Sequence, residues 1–179
     1  MKKEFLTTEE TEQLLRLAQK IDPGLVNYLV LGLFAGLHPM EIRDGQTGKA
    51  LLDFNRIDWD LKSIPVLAAK DVQKNNSTNR FVEDLPGANL AFTWLEAYKE
   101  YGLDLKNYRK RLDAILDELE IDKRVGSLFR KSFATHAVPL QGVAKTALQM
   151  GHTNSSTTEK HYKGLVTQAK GWEYFSIQP

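Results

Sequence analysis

The chain has 179 residues, 42% of them hydrophobic and 26% charged, the balance of one globular domain of ordinary size with enough apolar mass for a core. It contains no cysteine, which excludes a disulfide scaffold, a thiol nucleophile and thiolate-bound zinc. Lys and Arg total 24 against 23 Asp and Glu, a net charge of +1 that argues against a polybasic tail.

In chain order, Leu6-Thr7-Thr8-Glu9-Glu10 opens a helix, with Thr7 and Glu10 spaced as a capping box. Leu14, Leu15, Ala18 and Ile21 form its apolar stripe. Asp22-Pro23 ends that helix and starts a second, apolar nearly all round from Leu25 to Phe34 and therefore expected in the core. Gly36 and Pro39 break it, and a short helix follows at Pro39-Met40-Glu41-Ile42. Residues 43–50 read as loop. Arg56–Trp59, Ser63–Leu67 and Arg80–Asp84 read as three short strands, with the polar run Asp71–Asn79 as a hairpin tip. Helical spacing returns from Leu90, then over Leu105–Leu119, Leu128–Val138 and Val143–Met150, the last stopped by Gly151. A short helix carries Tyr162, and a last one lies near Val166–Tyr174. The expected fold is mainly α with a small three-stranded antiparallel sheet (α+β). It forms a single domain over 1–179, with a core over about 5–165 and a C-terminal helix and tail over 166–179.

Charge is segregated. Residues 1–105 carry 12 basic and 16 acidic side chains, whereas residues 106–163 carry 11 basic and 6 acidic. That points toward a polyanion, although a solvated helix face gives the same count. The apolar stretch around Leu25–Leu37 is interrupted and too short to cross a bilayer, and no apolar run of a secretory signal follows Met1-Lys-Lys-Glu-Phe5. A cytoplasmic protein with no membrane partner is the expectation.

Four segments carry the chemistry: Leu31-Gly-Leu-Phe-Ala-Gly-Leu-His-Pro-Met-Glu-Ile42; Leu52–Asp58 leading into the hairpin with Lys70 and Lys74; Leu128-Phe-Arg-Lys-Ser-Phe-Ala-Thr-His136; and Met150-Gly-His-Thr-Asn-Ser-Ser-Thr-Thr-Glu-Lys-His-Tyr162. In this order they resemble the catalytic domain of the tyrosine recombinases, the phage integrase family. The resemblance implies site-specific, metal-free and cofactor-free breaking and rejoining of double-stranded DNA, with a tyrosine hydroxyl forming a 3′-phosphotyrosyl link. It makes Tyr162 the nucleophile, Arg130 the second arginine of the phosphate clamp and His152 the histidine at the phosphate. Lys74 becomes the hairpin proton donor, with Lys70 as the alternative.

Two positions depart from that pattern. His38 stands where the family has its first arginine, and Ser127 where it often has His or Lys. Histidine lacks the guanidinium fork and is mostly neutral at pH 7, although a bound phosphate raises its pKa. Lys131 and Arg43 are the nearby cations that would contact DNA beside Arg130 and Lys74. The expectation is impaired cleavage, the alternative being an inactive relative that binds DNA or a partner recombinase. Read this way, the chain is expected to begin at the catalytic domain, without the helical core-binding domain that usually precedes it in the family. The tail with Trp172, Tyr174, Phe175 and Ile177 is expected to pack in cis, with docking on a neighbouring protomer on DNA as the other use. The four histidines have no zinc-binding spacing, Gly45-Gln-Thr-Gly48 is too short for a nucleotide phosphate loop, and Ser127 and Ser132 have no triad partners in sequence.

Overall fold

The computed structural model describes residues 4–67, 79–83, 90–123 and 127–179. Nine α-helices are present among them: α1 (Thr8–Ile21), α2 (Val26–Leu33), α3 (Pro39–Ile42), α4 (Leu90–Ala97), α5 (Tyr108–Glu118), α6 (Leu128–Gln141), α7 (Val143–Gln149), α8 (Ser156–Tyr162) and α9 (Gln168–Tyr174). Two strands, β1 (Ser63–Val66) and β2 (Arg80–Glu83), form an antiparallel pair.

Local signals built these elements where they stood in the sequence. Thr7 accepts from the Glu10 N–H while the Glu10 carboxylate accepts from the Thr7 N–H, a complete capping box. Pro23 starts a 3₁₀ turn that runs into α2. Every residue of α2 is buried, as its apolar circumference required. Its one polar member, Asn27, donates to the carbonyls of Tyr98 and Gly102 and ties α2 to the end of α4. α6 lies against α2 on one side and α9 on another, so the core is built around this pair.

The three-stranded sheet is corrected to two strands among the described residues. Phe54–Arg56 is a 3₁₀ turn, and Asp58 makes only an isolated bridge to Ser63. The reason is local: the Asp58 carboxylate accepts from the N–H groups of Asp60 and Leu61. This turn reverses the chain before a third strand can extend. In the pair that does form, Ile64, Val66 and Val82 are buried and Phe81 is exposed. Arg80 sits two residues from Val82 and therefore shares its inward face.

The C-terminal tail packs on its own chain. Tyr174, Phe175 and Ile177 are buried, while Trp172 is 44% exposed. The Tyr174 ring stacks on His136 of α6 at 4.0 Å, and its hydroxyl donates to the Leu33 carbonyl. Trp94 Nε1 donates to the Ile177 carbonyl. No helix of the described residues is long and apolar enough to cross a membrane.

Candidate functional site

The site grows from a bend after α2. Gly36 adopts φ +71°, and a side chain there would collide with the Phe133 ring of α6. Only glycine fits that close approach. The bend turns the Gly36 carbonyl toward Arg130, which donates to it from Nη1 at 2.9 Å. Arg130 Nη2 donates to the Met150 carbonyl at 2.6 Å, and Nη1 also contacts Glu41 Oε2 at 3.4 Å. A guanidinium carries five N–H groups. The remaining ones have no acceptor among the described residues. Burial lowers the Arg130 pKa to about 10, with the charge of Arg80 acting the same way and Glu41 opposing, so the group stays cationic at neutral pH.

His152 reaches the same place through a helix end. Gly151, at φ +71°, donates to the Leu148 carbonyl, and the His152 N–H donates to Ala147. This is a Schellman stop, and it throws the imidazole of residue 152 clear of α7. Its Nδ1 is 2.8 Å from Thr158 Oγ1, and its Nε2 has no hydrogen-bond partner among the described residues. Burial, followed by the charges of Arg130 and Arg80, pushes its pKa down to about 4.

Tyr162 is the last residue of α8 and is partly buried. Burial raises the pKa of its phenol, and the nearby charge of Arg130 works in the opposite direction. The two groups, 32 positions apart in sequence, lie within electrostatic reach of each other. Tyr162 also borders a cavity of about 290 Å³ with Lys131, Thr135 and His161. Lys131 itself is paired with Glu4 at 2.8 Å.

His38 is placed beside this cluster but is tied at both ring nitrogens. Its Nδ1 accepts from the Met40 N–H at 3.1 Å and so caps α3. Because a backbone N–H can only donate, Nδ1 is unprotonated, and the proton on Nε2 is directed to Ser127 Oγ at 3.2 Å. Burial lowers its pKa, with Arg130 and Arg80 acting in the same direction, so His38 is neutral. Arg43 is placed elsewhere. Its guanidinium lies 4.2 Å from the centre of the Tyr108 ring and donates to the Asp44 carbonyl. Lys70 and Lys74 lie outside the described residues.

Sequence reading missed two members of the cluster. Glu41 is 3% exposed, and Arg80 of β2 grips both of its carboxylate oxygens, at 3.0 Å from Nη2 to Oε2. Arg80 Nε donates to the Gln149 carbonyl at 2.6 Å. Burial alone would raise the Glu41 pKa, but the Arg80 hydrogen bonds and charge, with Arg130 behind them, hold it below the usual carboxylate range. A carboxylate between Met40 and Ile42 signals a need for a buried cation. The register that Arg80 shares with Val82 marks it as inward-facing, but only the packing that brings β2 to α3 makes it the partner of Glu41.

An open groove of about 1040 Å³ runs between residues 47–50 and the start of α5, lined by Lys49, Lys106, Arg109, Lys110 and Lys123 among others. Arg109 and Lys123 also line a narrow crevice that reaches Ser127 and Arg130. Among the described residues, no group of three or more His, Asp or Glu is arranged to hold a metal ion.

No protein-family model matches this chain, and no curated protein matches it. Among solved structures, the crystal structure of XerA recombinase is similar in fold, with a TM-score of 0.66 at 16% sequence identity. The match covers 96% of this chain and 64% of that one, so the chain spans less than two thirds of the recombinase's length. The described residues are therefore mainly helical with a small two-stranded antiparallel sheet, and the chain is similar in fold to a tyrosine recombinase.

Proposed function

We propose that this chain is a recombinase-like catalytic domain that binds double-stranded DNA and exchanges strands through a phosphotyrosyl intermediate on Tyr162. Its rate would be lowered by His38 and Ser127. The observation that supports this reading is Arg130, buried and oriented by the Gly36 and Met150 carbonyls with N–H groups to spare, on a fold similar to that of a recombinase. The Tyr162 hydroxyl attacks the phosphorus and releases its proton to solvent, the P–O bond to the 5′ oxygen breaks, and that oxygen takes up a proton as it leaves. Lys74, or Lys70, is the proposed source of that proton. The phosphorane gathers negative charge, which the remaining N–H groups of Arg130 and Nε2 of His152 are suited to receive. One phosphodiester replaces another, so the step can be reversed by a 5′ hydroxyl from a second strand. Lys49, Lys106, Arg109 and Lys110 of the open groove, whose wall also carries Asp113 and the Lys123–Asp117 pair, would supply further cations for the DNA backbone.

A second reading has its own observation. His38 caps α3 with one nitrogen and meets Ser127 with the other, so it does not offer a free donor to a phosphate. On that reading the chain binds DNA, or a partner recombinase, without cutting.

A pool of suicide-nicked duplexes with randomised flanks separates the two. A covalent adduct that disappears in Tyr162→Phe supports exchange. Salt-sensitive duplex binding without an adduct supports the second reading. Neither binding nor adduct overturns both.

A further inference from the structure

We propose that Arg80 is a positioning residue that neutralises Glu41 and thereby leaves the charge of Arg130 available to a bound phosphate. The proposal rests on the phosphate-binding reading of this site and deepens it.

Glu41 is buried with its carboxylate next to two guanidinium groups. A buried carboxylate takes the best-placed cation it can reach. Arg80 meets it side-on, one N–H group to each oxygen. Arg130 makes one longer contact of 3.4 Å, well beyond the 2.7–2.9 Å of a close charge-assisted bond. The short partners of Arg130 are instead two neutral carbonyls, Gly36 at 2.9 Å and Met150 at 2.6 Å. They orient the guanidinium without cancelling its charge.

The charge count makes the consequence plain. Among the described residues, two guanidinium groups, one carboxylate and two neutral imidazoles give the cluster one net positive charge. Without Arg80 the count falls to zero, and Glu41 turns to Arg130. Residue 38, being a neutral histidine, supplies no substitute. Arg80 also binds the Gln149 carbonyl, and its guanidinium packs where a Gly151 side chain would stand. One side chain therefore links the acid of α3 to the turn that carries His152.

The test titrates inorganic phosphate into the whole chain, following the His152 ring by NMR, for wild type, Arg80→Met and Arg80→Met/Glu41→Gln. Thermal melts report folding. The single variant is expected to bind phosphate about tenfold more weakly or worse. The double variant restores the net charge and is expected to return to within about threefold of wild type. A merely structural role for Arg80 would show as a lowered melting temperature, with phosphate binding lost only where the single variant unfolds, whereas the proposal expects weaker binding by the folded single variant. Wild-type affinity in the single variant overturns the proposal, as does equal loss in the folded single and double variants. If Arg80→Met does not fold, the double variant against wild type decides: retained binding supports the proposal and lost binding overturns it. A wild-type chain that binds no phosphate tells against the site itself, and the role of Arg80 falls with it.

Discussion

His38 and Ser127 are hydrogen-bonded to each other, Nε2 to Oγ at 3.2 Å, across 89 positions of sequence. The two departures from the recombinase pattern are thus one contact. Ser127 stands at the start of α6 with φ +54° and makes no capping bond of its own, so its hydroxyl is free for His38.

This pairing makes the two positions energetically dependent. His38→Arg is expected to lose the α3 cap at a cost of about 1 kcal/mol. A double-mutant cycle of His38→Ala and Ser127→Ala is expected to return a coupling of about 0.5–1.5 kcal/mol in urea unfolding. Additive effects would mean that the contact contributes nothing. If cleavage is present, His38→Arg is also expected to raise adduct formation by about 10²-fold, the scale of one transition-state donor. A nicked-duplex time course measures it.

Gly36→Ala is expected to destabilise the chain by about 2–4 kcal/mol, from positive φ and the clash with Phe133 together. Because the same bend aims a carbonyl at Arg130, loss of phosphate binding should accompany the shift in denaturation midpoint. A wild-type midpoint would show that α2 and α6 can part at this point without penalty.

Stability should fall on mild acidification. His152 has a folded pKa of about 4 against an ordinary value of 6.5, and His38 is lowered as well. Between those values the unfolded chain binds more protons, so stability is complete above about pH 6.5 and declines as pH falls toward 4. Melting temperatures measured across this window should show the decline, and His152→Gln should make it shallower. An unchanged slope in that variant would remove His152 as a source.

Tyr174→Ala is expected to cost about 3–5 kcal/mol, because it empties a fully buried aromatic site between His136 and Phe34. Hydrogen exchange should then rise over α9 before it rises over α2. Uniform protection loss would instead mean that α9 and the core unfold as one unit.

What could be read from the chain alone is local. The Thr7–Glu10 box, the Pro23 start, the all-apolar α2 and the stop at Gly151 are each written within a few residues, because helix caps and helical faces depend on neighbours three or four positions away. The order of the four chemistry-bearing segments was equally visible, and so was the oddity of His38 and Ser127. The third strand was misread because alternation over four residues is a weak signal beside the Asp58 side chain, which closes a turn on its own backbone.

The tertiary structure alone decided which charges meet. Nothing near Glu41 in sequence names Arg80, 39 positions away, as its partner, and nothing near His38 names Ser127. Arg43, close to His38 along the chain, turned to the Tyr108 ring instead. A buried charge or polar group settles on whatever partner packing brings within about 3 Å, since leaving it unpaired costs more than any local preference supplies. That choice is made by the packing of whole elements, here β2 and α6 against the bend after α2, and is therefore absent from any short stretch of sequence.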